Sequence, residues 1–221
     1  MALRRRNKRT DQSKIDATPP WETRHRDEPE PTSGPFDVRD APDDDLDRLD
    51  LGALRVPARP GLEMRLDMNE AQQVVSVTLV NQDGYLQVAA FAAPRNEGIW
   101  EDIRKEIRDS IVSQGGLARD KSEGEFGAEL VGTLKGDGGN TPVRFFGVDG
   151  PRWFLRGMLT GSPATEASKA RPFEETFRNI VVVRGTDPLP VRDPVPLQLP
   201  KEAAEQLAAL AEAAEEDAQS S

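Results

Sequence analysis

From Leu51 onward the apolar residues recur at two different periods, and the change of period marks the elements. Met64 and Leu66 fall on one face of a first stretch. Val75, Val77 and Leu79 fall on one face of the next, with Ser76 and Thr78 opposite. A period of two places alternate side chains on the same side of a strand. Asn81-Gln82-Asp83-Gly84 follows, residue types that tolerate the backbone of a tight hairpin, and Tyr85 to Phe91 reads as the returning strand. The period then lengthens: Ile99, Ile103, Ile107 and Ile111, with Trp100 and Val112, make one apolar stripe at helical spacing. Asn96 is the predicted N-cap, and Gly115-Gly116 the predicted stop.

Further along, Ala128–Leu134, Val143–Val148 and Trp153–Thr160 read as strands, joined by Gly136-Asp137-Gly138-Gly139-Asn140 and by Asp149-Gly150-Pro151. A short helix over Pro172–Asn179 is predicted to pack Phe173 and Phe177, with Pro172 in its first turn. Ile180–Val183 has the composition of a buried strand. Residues 186–200 alternate Pro with Val and Leu and read as an extended strap. Strands joined by short turns predict an α+β fold, a mostly antiparallel sheet with helices packed on one face. The predicted organisation is a disordered leader over 1–50, the domain over 51–185, the strap over 186–200, and an acidic Ala/Glu-rich tail over 201–221 that is helical or disordered.

Charge sharpens this division. The formal net charge is −10, but residues 1–16 hold six basic and two acidic side chains, and residues 27–50 hold two basic and ten acidic. Residues 201–221 hold one basic and six acidic, whereas 51–200 hold 18 and 20. The charge imbalance lies in the ends and the folded part is nearly neutral, which speaks against broad nucleic-acid binding by the fold. The basic start, Arg4, Arg5, Arg6, Lys8 and Arg9, is able to sit on nucleic acid or an anionic membrane surface. No apolar run reaches the roughly 20 residues of a membrane helix, and the basic start lacks the apolar stretch of a secretory signal. With no cysteine in the chain, disulfides and thiolate chemistry are excluded and a reducing compartment is permitted, so the expected location is cytoplasmic.

The same inventory excludes much chemistry. The single histidine, His25, lies in the leader, leaving the domain without a Ser-His-Asp triad or a histidine base. Neighbouring carboxylates such as Glu101/Asp102 and Glu174/Glu175 point apart on a helix and read as solvent faces. The Gly136–Asn140 stretch has no following Lys-Ser/Thr and reads as a turn rather than a phosphate cradle. No catalytic residue, metal ligand or cofactor is predicted. Two places combine Arg with Trp, the pairing that recurs among interface anchors: Arg152, Trp153 and Arg156 in one, Arg95 and Trp100 in the other. Each also has a plainer reading. Arg152 in a turn leads into a strand whose Trp153 and Leu155 face the core, and Arg95 precedes a helix start with a core Trp100.

Four segments carry a family resemblance: Leu51–Pro57 (LGALRVP), Phe91–Trp100 (FAAPRNEGIW), Arg144–Gly157 (RFFGVDGPRWFLRG) and Phe177–Gly185 (FRNIVVVRG). In this order they resemble an actinobacterial family that carries a domain of unknown function, over about residues 50–200, with a similar basic start and acidic linker. The resemblance implies no activity or site. The element order also resembles the Mog1/PsbP-type fold, used mostly by binding and assembly proteins, a likeness of fold rather than of function.

Three readings of function follow. The first is a non-enzymatic interaction or scaffold module with protein partners. The second is an accessory protein tethered to nucleic acid or the inner membrane surface by its basic start. The third is an enzyme working through Asp, Glu, Arg or Lys.

Overall fold

A computed structural model describes residues 34–136 and 138–200. The basic start, His25, the first part of the leader and the tail from 201 lie outside the described residues. Eleven strands and two α-helices are present in this span. In chain order they are β1 (Phe36–Asp37), β2 (Arg48–Asp50), β3 (Leu54–Pro57), β4 (Glu63–Met68), β5 (Val74–Asn81), β6 (Gly84–Ala92), α1 (Trp100–Ser113), β7 (Leu117–Gly124), β8 (Gly127–Gly136), β9 (Gly139–Gly150), β10 (Trp153–Gly161), α2 (Ala167–Arg178) and β11 (Val181–Val182).

Seven strands form an antiparallel sheet in the order β4-β5-β6-β10-β9-β8-β7, and β1-β11-β3-β2 form a smaller sheet with one parallel pair, β1 with β11. The α+β class and mainly antiparallel pairing are as the sequence predicts. The placement of the helices is different. Consecutive residues of a strand face opposite sides, and Phe146, Trp153 and Leu155 share a core with Phe173 and Phe177 of α2 and with β3 of the small sheet. Phe145 and Phe154 instead share a core with Ile99, Trp100 and Ile111 beside α1. The helices therefore lie on opposite faces of the large sheet, because β9 and β10 are apolar on both sides.

Other corrections have local causes. The hairpin at Asn81–Gly84 forms as read, with Asn81 Oδ1 accepting from the backbone N–H groups of Asp83 (2.9 Å) and Gly84 (3.2 Å). On β5, however, an irregularity pairs Met68 with Val74. Val74 rather than Val75 thus joins Val77 and Leu79 in the core. Helix α1 ends at Gly115 (φ 80°), where the N–H groups of Gly115 and Gly116 donate to Val112 and Ile111, the expected glycine stop. Its start is capped not by Asn96 but by Asp149 of β9, which accepts from Ile99 N (2.8 Å) and Trp100 N (3.3 Å). Val112 is exposed. Helix α2 begins five residues before Pro172, which therefore lies inside it rather than in its first turn.

The largest revision is at the N-terminal boundary. Residues 34–50, expected as part of a leader without structure, carry β1, β2 and a 3-10 turn over Val38–Asp40. Phe36 N donates to Ile180 O (2.9 Å) and Leu49 packs on the core. The 186–200 strap is also built into the fold. Val195 N donates to Ala90 O and Leu197 N to Val74 O (2.9 Å each), with both side chains buried.

Candidate functional site

The β9–β10 connection is a two-residue turn, Pro151-Arg152, closed by the pairing of Gly150 with Trp153. Arg152 sits there at φ 64°, in the left-handed region that the third position of a type II turn requires and that glycine occupies most easily. The Arg152 carbonyl accepts from Ala93 N (3.0 Å), which fixes one end of the 93–99 loop. Asp149 fixes the other end through the α1 cap. Arg95 is thereby held beside Arg152.

Two further arginines arrive from distant parts of the chain. Arg184 follows β11, and its Nε and Nη1 donate to the carbonyls of Arg152 (3.3 Å) and Asp187 (3.1 Å). It is only 8% exposed. Burial and the neighbouring Arg152 charge push its guanidinium below its ordinary value, against the opposing pull of Asp187. Arg39 lies on the 3-10 turn after β1, where Asp37 Oδ1 accepts from its backbone N (3.1 Å) and from its Nε (2.7 Å). Asp37 Oδ2 accepts from Trp153 Nε1 at 2.8 Å. Burial raises the Asp37 carboxyl, but the hydrogen bonds from Arg39 and Trp153 outweigh it and hold the group below its ordinary value.

Arg39, Arg95, Arg152 and Arg184 line one cavity of about 560 Å³, with Asp37 as its acidic side chain. The rest of its wall is Val38, Pro151, Gly185 and Thr186, none of them aromatic. Asp37 is already engaged by Arg39 and Trp153. Among the described residues, Arg95, Arg152 and Arg184 make no ion pair with a carboxylate. A second cavity, of about 620 Å³, also contains arginines, but Arg48 there is paired with Asp44 (2.6 Å) and Arg55 with Asp50 (3.6 Å). What distinguishes the first cavity is that, among the described residues, three of its arginines make no ion pair, Arg184 being only partly offset by Asp187.

The structure brings together only two of the five residues singled out in the sequence, Arg95 and Arg152. Trp153 is 1% exposed and lies beneath the cavity, holding Asp37. Trp100 is buried, stacked on Phe154 at 5.6 Å, with Nε1 donating to Ala128 O (2.6 Å). Arg156 projects from the other face of β10, its guanidinium 5.1 Å from the Phe91 ring centre, where burial lowers its ordinary value. Arg39 and Arg184 were not singled out. Their sequence signals are faint: a cation just after a buried valine run, and an apolar Phe36 in a mostly polar leader.

Among the described residues no cluster of three His, Cys, Asp or Glu is placed to hold a metal ion, and no helix is long and apolar enough to cross a membrane.

Fold and cavity together define an α+β domain, its main sheet antiparallel, with an arginine-lined cavity at the joint between its two sheets. The chain belongs to the DUF3710 family, described as proteins of unknown function, whose family model matches residues 34–206. That match takes in β1, the first strand among the described residues. No curated protein matches the sequence. Among solved structures the chain is similar to the solution structure of cyanobacterial PsbP (CyanoP) from Synechocystis sp. PCC 6803, at 15% identity and a TM-score of 0.40, over 62% of this chain and 92% of that one. The similarity is weak.

Proposed function

We propose that the chain is a non-enzymatic interaction module that docks a protein partner by an anionic group placed in the arginine cavity. The supporting observation is the convergence of Arg95, Arg152 and Arg184 in one cavity, none of them ion-paired to a carboxylate among the described residues. Like charges brought together and partly desolvated disfavour the empty state, and an anionic partner relieves that cost. Guanidinium groups suit the task because their planar forks bind oxyanions through two parallel hydrogen bonds. The proposed setting is the cytoplasm.

The test is affinity purification of the tagged chain from its native cytosol, as parent and as Arg95→Ala/Arg152→Ala. The expected result is loss of the co-purifying partner, with a melting temperature close to that of the parent. If the double variant keeps every partner while removal of residues 1–16 releases them, the basic start is the tether and the cavity is not.

A further inference from the structure

We propose that the group taken by the arginine cavity is a phosphate monoester, presented as a phosphorylated side chain of the partner protein. This rests on the reading above and names the group which that reading leaves general. A phosphomonoester brings about 1.5 to 2 negative charges at neutral pH and three strong acceptor oxygens. A carboxylate brings one charge and two oxygens. Among the described residues Arg95, Arg152 and Arg184 carry three charges with no ion-paired carboxylate, Asp187 only partly offsets Arg184, and Arg39 shares its charge with Asp37. A single carboxylate leaves most of that excess in place, whereas a phosphate ester removes the larger part of it.

The geometry is prepared for such a ligand. Arg184 is held by two backbone carbonyls through Nε and Nη1, leaving Nη2 without a partner among the described residues. Arg152 is fixed by its turn in a backbone conformation that a glycine would occupy with less strain. Among the described residues the wall has no aromatic face on which a nucleobase could stack, and Trp153 below it is buried with its indole N–H committed to Asp37. The recognised part is therefore the phosphate itself. At about 560 Å³ the cavity is far larger than a free phosphate ion. Two of its arginines, Arg39 (67% exposed) and Arg95, stand at the solvent side where a flanking peptide backbone would run.

The test is isothermal titration of the full chain with a capped, alanine-rich heptapeptide carrying phosphoserine at its centre, the same peptide with Glu or Ser there, and inorganic phosphate. Phosphoserine is expected to bind at least about tenfold more tightly than Glu, as doubled charge-assisted contacts imply. Inorganic phosphate should bind more weakly than the phosphopeptide, and Ser not measurably. Arg95→Gln and Arg152→Gly should each weaken the phosphopeptide by about tenfold or more, while the melting temperature of Arg152→Gly does not fall. Equal binding of the Glu peptide overturns the phosphate assignment and leaves the interaction module standing. Inorganic phosphate bound as tightly as the phosphopeptide overturns the partner side chain in favour of a small-ion site. No binding of the phosphopeptide to the parent, or binding untouched by both variants, overturns the inference outright. Whether the interaction module falls with it is decided by the purification experiment.

Discussion

Arg144 and Arg184 are equally buried, each 8% exposed, yet they live in opposite electrostatic settings. Arg144, on β9, faces Glu129 at 3.8 Å and is bonded to Glu174 of α2. Glu129 is fully buried and also accepts from Lys121 Nζ (3.2 Å) and from the backbone N of Glu125 (3.1 Å). Each charge there has an opposite charge beside it, and the cluster ties α2 to the sheet. Arg184 donates to backbone carbonyls, is repelled by Arg152 and is only partly offset by Asp187, with which it makes no ion pair. A buried cation with carboxylate partners serves the fold. One without an ion pair costs the fold something, a cost that the proposed anion would offset.

The largest expected effect comes from the paired arginine. Arg144→Met should destabilise the chain by roughly 3–5 kcal/mol, because it leaves Glu129 and Glu174 facing each other without their shared cation. Chemical denaturation of parent and variant measures this, and a loss below about 1 kcal/mol would break the contrast between the two arginines.

An intermediate effect is expected at the floor of the cavity. Asp37→Ala removes the acceptor for the buried Trp153 Nε1 and for Arg39, at a cost of about 1–3 kcal/mol. The Asp37 carboxyl is held below its ordinary value of 3.8 in the fold. Its contribution is thus fully present above that value and is lost as pH falls through the lower, folded one. Stability curves of parent and variant should converge on acidification below about pH 4; curves that stay parallel there would contradict the assignment.

Arg184→Met should cost little, about 1 kcal/mol or less, since the loss of two bonds to carbonyls is offset by relief of desolvation and of repulsion from Arg152. Comparing its denaturation midpoint with that of Arg144→Met sharpens the comparison within one experiment.

The sequence reveals what is locally determined. The β5–β6 hairpin is carried by Asn81 and Gly84, and the end of α1 by Gly115, so both are legible from a few adjacent residues. Strand β7 is not legible locally because LARDKSEG has no apolar alternation. It is an edge strand, mostly exposed, that forms by pairing with β8. Residues 34–50 were missed for a related reason: Asp37 depends on Trp153, and Phe36 on Ile180, partners that lie far along the chain. The site divides in the same way. Arg95 and Arg152 were found through their tryptophan neighbours, although both tryptophans are core residues and contribute no contact surface. Arg39 and Arg184 enter the cavity only through the parallel pairing of β1 with β11, which no short-range pattern announces.

The central claim is that the cavity trades fold stability for anion binding, and Arg152→Gly tests it most directly. In sodium chloride the variant should melt at the same temperature as the parent or slightly above it, because glycine relieves the φ 64° conformation and the repulsion on Arg184 disappears. In the phosphoserine heptapeptide, at matched ionic strength and a hundredfold excess over the parent Kd, the parent should gain about 2.7 kcal/mol and a variant that binds tenfold more weakly about 1.4 kcal/mol. The order of melting should therefore reverse. Melting temperatures that keep the same order and spacing in both solutions would contradict the account.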